Sequence, residues 1–364
     1  MDNKRNYGID FLRIFLMFLI IIGHFYAHTE VRDNLEIFSF KWVFVWATQA
    51  LTVCAVNCFI LITGYFSWNR DFSVKRVIPL WKKVVLYSII LFLINLAFRI
   101  VPITNGLITD SFLPVVRKQY WFITYYIVLC FLIPFLNVAI QKIQKLQILI
   151  KCIICIFYIL PIFSVAIPEI DIQEGYSVIG FITIYLIGAY FGRVGFKIKK
   201  KNAIILLVTN NLIVFLSKCI LSIIVQKYDL SFGTALFYHY NTIFQLFNAI
   251  LLLRLFSDIK LNAKAVKLVA VTSKHVFPIY LIHEHQIIRS LLWSTGILGI
   301  LKATNSITFV AIILGGSIGI FLLGLIIDIC IDRFFSLIDK LPQFRRLHTF
   351  LDKKCGEWIY KNGK

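Results

Sequence analysis

The residues able to do chemistry lie where a lipid environment makes them costly. The first apolar run, GIDFLRIFLMFLIIIGHFYAH (residues 8–28), carries Asp10, Arg13, His24 and His28. A charged side chain at bilayer depth costs at least ~2.5–3.5 kcal/mol and persists where it faces a partner or a wet cavity. Arg13 and His24 are eleven positions apart. At about 100° and 1.5 Å per residue they fall within about 20° of one line, about 16 Å apart along the helix. One stripe therefore presents a permanent cation nearer one end and a titratable base nearer the other. The ordinary alternative is that Arg13 snorkels and His24 is a hydrogen-bonded packing residue, and the shared face weighs against it.

Three more apolar segments hold clustered polar groups: FILITGYFSW (59–68), QYWFITYYIVLCFLIP (119–134) and FPIYLIHEHQIIR (277–289). On one continuous helix His283 and His285 would stand about 200° apart, so a metal pair is not expected there, and His283 is expected to face the interior. Trp121, following Arg117 and Lys118, suits interfacial anchoring or substrate contact. The chain has no glycine-rich phosphate loop, no Gly-x-Ser-x-Gly elbow and no His-Glu-x-x-His, which excludes ATP-driven pumps and soluble-type hydrolases.

The elements that must position these groups are membrane spans. The 364 residues are 59% hydrophobic and only 15% charged, spread from end to end, so the fold expected is all-α and polytopic. A formal net charge of +20 would suggest nucleic acid in a soluble chain. Here the basic residues form short clusters between apolar runs, as in cytoplasmic loops, and no nucleic-acid partner is expected. The eight cysteines fall mostly inside apolar runs and form no disulfide framework or zinc set. The first run is too long for a signal peptide, is interrupted by Arg13 and lacks a small-x-small cleavage site, so it is expected to be retained.

Windows of about 20 apolar residues give about ten spans: 8–28, 41–67, 80–102, 121–140, 147–167, 177–196, 202–225, 237–257, 276–299 and 307–331. With the N-terminus cytoplasmic, 28 Lys and Arg fall inside, seven outside and three within spans. That bias places both termini in the cytoplasm. Residues 1–335 form one transmembrane domain, and 336–364 a basic amphipathic tail expected on the inner leaflet. Gly315, Gly316, Gly319 and Gly324 in the last run are expected to serve close helix packing.

Four segments recur in a familiar order: Arg13 and His24 after Gly8-Ile9-Asp10, Phe59 to Tyr65 ending in Thr63-Gly64-Tyr65, Tyr120-Trp121-Phe122 leading to Pro134, and Ile279-Tyr280-Leu281-Ile282-His283. Over about residues 5–335 this resembles the acyltransferase 3 family, integral-membrane acyltransferases many of which O-acetylate bacterial surface polysaccharides. The resemblance implies Arg13 and His24 as the catalytic residues. It also implies acetyl-CoA as acyl donor and no metal. Many members carry serine where Thr63 stands, and an Arg-x-x-Arg pair where this chain has Lys75-Arg76 and Lys82-Lys83. The donor phosphates are then expected on Arg13, Lys75, Arg76, Lys82 and Lys83, with Asp10, Tyr65, Trp121 and His283 on the substrate path. The acceptor implied is a hydroxyl of an envelope polysaccharide or lipid-linked sugar, at a bacterial plasma membrane. A transporter or flippase for a lipid-linked sugar is the alternative. No outer loop exceeds about 18 residues, which argues against a glycan polymerase or ligase.

Overall fold

The computed structural model describes residues 5–70, 77–163, 173–230, 233–293 and 296–338. Lys75, Arg76 and nearly all of the basic tail lie outside these residues. The described chain is helical, with no strand among the described residues. In order the α-helices are α1 (Tyr7–His28), α2 (Phe40–Thr52), α3 (Cys54–Ser67), α4 (Val77–Phe98), α5 (Asn105–Phe112), α6 (Trp121–Lys142) and α7 (Leu146–Ile154). They continue with α8 (Val178–Val194), α9 (Lys200–Tyr228), α10 (Ile243–Ser257), α11 (Ala263–His283), α12 (Gln286–Leu292), α13 (Gly296–Ala303) and α14 (Ser306–Ile338). In hydrocarbon every backbone polar group must be satisfied within the segment, and only a helix does this for a lone span. The starts are set locally. Asn6, Ser39, Ser177, Thr242 and Asn262 each accept a hydrogen bond from a first-turn N–H of α1, α2, α8, α10 and α11.

Eight helices are long and apolar enough to cross a bilayer, with α2 and α3 together forming one of 28 residues. The two other expected spans are occupied by α8 and α10, of 17 and 15 residues, shorter than the ~20 a straight crossing needs. Both are largely buried within the bundle. The ninth span differs from expectation. It is α11, which starts at Ala263 behind the Asn262 cap although Lys264, Lys267 and Lys274 interrupt its apolar pattern, and it stops at His283. The chain then turns at Glu284, and His285 caps α12. His283 and His285 are thus separated by a corner, not by a helical turn.

Helix α1 is the central pole and packs against α2, α3, α10, α11 and α14. Helices α9 and α14 turn Ile204, Val208, Leu212, Ile220, Leu323 and Ile326 outward, the apolar face expected of lipid-facing helices. Because lipid is as apolar as leucine, close packing and interhelical hydrogen bonds must hold such a bundle. Asn248 bridges Asn210, Asn211 and the Ala50 carbonyl. Asn137 accepts from Tyr185 and donates to the Ser67 carbonyl.

The Thr63-Gly64-Tyr65 step owes its glycine to packing. A Cβ on Gly64 would lie 2.2 Å from the Tyr185 carbonyl oxygen, and one on Gly188 would lie 2.3 Å from that of Leu61. Helices α3 and α8 therefore meet backbone to backbone. In α14, Gly316 and Gly324 face Phe25 and Ile279 as packing requires, but Gly315 and Gly319 meet nothing within 4 Å. Overpacking of this kind costs about 1–3 kcal/mol. Gly64→Ala and Gly188→Ala are accordingly expected to lower the thermal midpoint of the detergent-purified protein by several degrees, while Gly315→Ala leaves it unchanged. Scanning fluorimetry of the three variants checks this.

Candidate active site

The last turn of α1 and the end of α11 meet around one carboxylate. His24 and His28 are one turn apart on α1. The corner after α11 brings Glu284 Oε2 to 3.0 Å from His28 Nε2 and 3.1 Å from His24 Nδ1. Arg289, from α12, reaches Glu284 Oε1 at 3.3 Å. His283 completes the cluster, with its Nε2 3.0 Å from His24 Nδ1.

These contacts assign the protons. His283 Nδ1 lies 2.7 Å from the Ile279 carbonyl oxygen. A carbonyl only accepts, so Nδ1 carries the proton and His283 Nε2 is a lone pair. Its neighbour, His24 Nδ1, must then be an N–H, and the Glu284 carboxylate asks for the same proton. The basic nitrogen left on His24 is Nε2. Glu284, His283 and Ile279 thus hold His24 in one tautomer and one orientation. His24 Nδ1, His28 Nε2 and the Glu284 carboxylate oxygen also lie within 4.8 Å of one another, close enough to ligate a cation. Hydrogen bonding already satisfies each of these atoms.

At the other end of α1, Asp10 is buried and held by two guanidinium groups, Arg5 Nε at 2.5 Å and Arg13 at 2.7 Å. One carboxylate against two arginines leaves that end with excess positive charge. Arg5 also donates to Ser273 at 3.0 Å.

A cavity of about 1220 Å³ joins these two ends. Arg13, Met17, Ile20, His24 and Ala27 with His28 line it from α1, the stripe that helical spacing requires. Phe59 and Thr63 of α3 and Trp121, Phe122 and Tyr126 of α6 form the facing wall, and Arg32, Lys218 and His239 lie beyond His28. The arginine and the histidine therefore open onto one passage.

The remaining expected site residues are placed differently. Trp121 lines the cavity against Tyr176, ring centroids 4.6 Å apart. His283 stands behind His24 and is almost completely buried. Asp10 orients Arg13 from outside the cavity wall. Tyr65 stacks on Phe196 at 5.7 Å and is not on the wall either; Thr63 is, with its hydroxyl 3.2 Å from that of Tyr126. Lys82 is exposed, and Lys83 is directed to Asp328 at 3.7 Å and Asp332 at 3.9 Å. Neither lysine lines the cavity.

Several members of the site escaped the sequence reading. His28 was visible as an i,i+4 neighbour of His24. Glu284 was visible only as a charge beside His283, since its partner His28 is 256 residues away. Tyr280, whose ring is 6.3 Å from that of His24 and lines the cavity, has a hydroxyl without a hydrogen-bond partner among the described residues. It is a spare donor beside the histidine.

Comparison with known proteins shows the family. The model of the acyltransferase 3 family, described as an acyltransferase domain, matches residues 6–327 and so contains α1, α11 and the whole cavity wall. No curated protein and no solved structure matches with significance. With a family match over most of its length and eight helices able to cross a bilayer, the chain belongs to the acyltransferase 3 family and is a multi-pass membrane acyltransferase.

Proposed function

We propose that the protein moves an acetyl group from acetyl-CoA to a hydroxyl of a cell-envelope polysaccharide or lipid-linked sugar. The observation that carries this reading is that Arg13 and His24 line the same cavity, one at each end of the α1 stripe. By the Lys/Arg count the Arg13 end is cytoplasmic, where acetyl-CoA is made, and the His28 end faces outward. The surplus positive charge around Arg13, with the basic inner segment that includes Lys75, Arg76 and Lys82, suits the donor's phosphates. Lys83 is left out because Asp328 and Asp332 already engage it.

The chemistry follows from the tautomer. His24 Nε2 takes the proton of the acceptor hydroxyl as its oxygen attacks the thioester carbonyl. The C–S bond breaks, the ester forms, and the imidazolium returns its proton to the CoA thiolate. An imidazole can accept a proton and give it back, which suits both transfers. Glu284 stabilises the transient imidazolium and fixes its orientation, and the free Tyr280 hydroxyl suits the developing oxyanion. A transporter for a lipid-linked sugar would use the same passage without a thioester. Release of CoA by the purified protein in the presence of acceptor separates the two readings.

At wild-type membrane levels, His24→Ala is expected to lower transfer of labelled acetyl from acetyl-CoA to envelope glycan by about 10²–10⁴-fold. Arg13→Ala is expected to raise the apparent KM for the donor. Undiminished acetylation in both variants would remove the mechanism. Glu284→Gln keeps the shape but loses the charge, so kcat is expected to fall by about 10-fold or more with little change in donor KM. A KM effect alone would reassign Glu284 to donor binding.

A further inference from the structure

Beyond His28 the cavity contains a second built feature that acyl transfer at His24 does not use. Lys218 sits in the outer half of α9, is 7% exposed and lines the cavity. Its ammonium lies 3.9 Å from the Trp46 ring centroid and donates to the Thr234 hydroxyl. Among the described residues no carboxylate lies within 4.0 Å of it. The acidic groups on this part of the wall are otherwise engaged: Asp33 pairs with Arg32 at 3.2 Å, and Glu174 with His239 at 3.7 Å. Arg32 approaches the same indole at 5.9 Å. An intramembrane cation with no carboxylate in ion-pair contact is costly, and it is retained where a ligand pairs with it.

We propose that Lys218, with Trp46 and Thr234, forms an anion seat in the outer half of the cavity, and that the acceptor is an acidic saccharide whose carboxylate or phosphate docks there. This rests on the acyl-transfer reading and adds the class of acceptor. Trp46 holds the ammonium by cation–π attraction without neutralising it, so the charge stays available. Thr234 takes one of its three protons and leaves two for the ligand. The Trp121, Tyr176 and Tyr240 rings, with centroids 4.6–6.2 Å apart, supply an apolar wall near the same end for the sugar faces.

The test uses the full chain in phosphatidylcholine nanodiscs, titrated calorimetrically with methyl glucuronide and glucose 1-phosphate and with their neutral parents, methyl glucoside and glucose. The acidic sugars are expected to bind about 10-fold or more tightly than the parents. Lys218→Met should abolish that preference, Lys218→Arg should keep part of it, and His24→Gln should leave it intact while abolishing acyl transfer. Equal binding of acidic and neutral sugars, or a preference that survives Lys218→Met, overturns the proposal. Should Lys218→Met fail to fold, Thr234→Val tests the same seat, since it is expected to weaken binding of the acidic sugars alone. Loss of the preference in phosphatidylglycerol nanodiscs would give the seat to a lipid headgroup and overturn the assignment to the acceptor. An intact preference in a protein that never turns over acetyl-CoA would defeat the acyl-transfer reading and leave the seat standing.

Discussion

The Glu284 carboxylate is the contact on which the site depends. A buried carboxylate is strongly unfavourable unless it is paired and hydrogen-bonded. Here three groups from two distant parts of the chain meet that demand: His24 and His28 from α1, and Arg289 from α12. The same contacts that keep Glu284 ionised fix the His24 proton on Nδ1 and leave Nε2 basic. Fold and chemistry thus share one interaction. Removing the carboxylate would take away the link from α1 to Glu284 and leave His283 Nε2 as the one remaining acceptor described for the His24 Nδ1 proton.

The bundle repeats this device at two other buried carboxylates. Asp10 is held between Arg5 and Arg13 at the N-terminal end of α1. Asp328, fully buried in α14, accepts from His275 of α11 at 2.5 Å and from the Tyr87 hydroxyl of α4, with Lys83 close by. That cluster ties three helices together, as Glu284 ties the end of α11 to α1. It also explains why Lys83 is not on the cavity wall. Where lipid removes the hydrophobic drive between helices, such polar links and the backbone contact of α3 with α8 give the bundle its geometry. Lys218 departs from the pattern, because its charge is cradled by an aromatic ring and a hydroxyl.

Much of this was legible in the sequence because lipid imposes a simple grammar. Apolar runs marked the helices in order, and helical spacing alone put Arg13 and His24 on one wall. The start of α11 was not legible, since Lys264, Lys267 and Lys274 interrupt the apolar window although lysine stems tolerate the end of a span. The corner at Glu284 was hidden for a related reason: hydropathy does not distinguish a continuing helix from one that stops and is recapped by His285. Gly64 was recognised as part of a motif, but only the approach of Tyr185 supplies its physical cause. Contacts spanning more than 250 residues, such as those of Glu284 with His24 and His28, leave no mark in local sequence.

The central claim is that donor and acceptor meet at His24 inside one passage that begins at Arg13. Its most direct test is a cryo-electron microscopy structure of the protein in nanodiscs with a non-hydrolysable acetyl-CoA analogue. The account expects the phosphates near Arg13, the pantetheine arm along the Met17 and Ile20 stripe, and the acetyl carbon within reach of His24 Nε2. Analogue bound outside the cavity, or threaded with its acetyl group remote from His24, would contradict it.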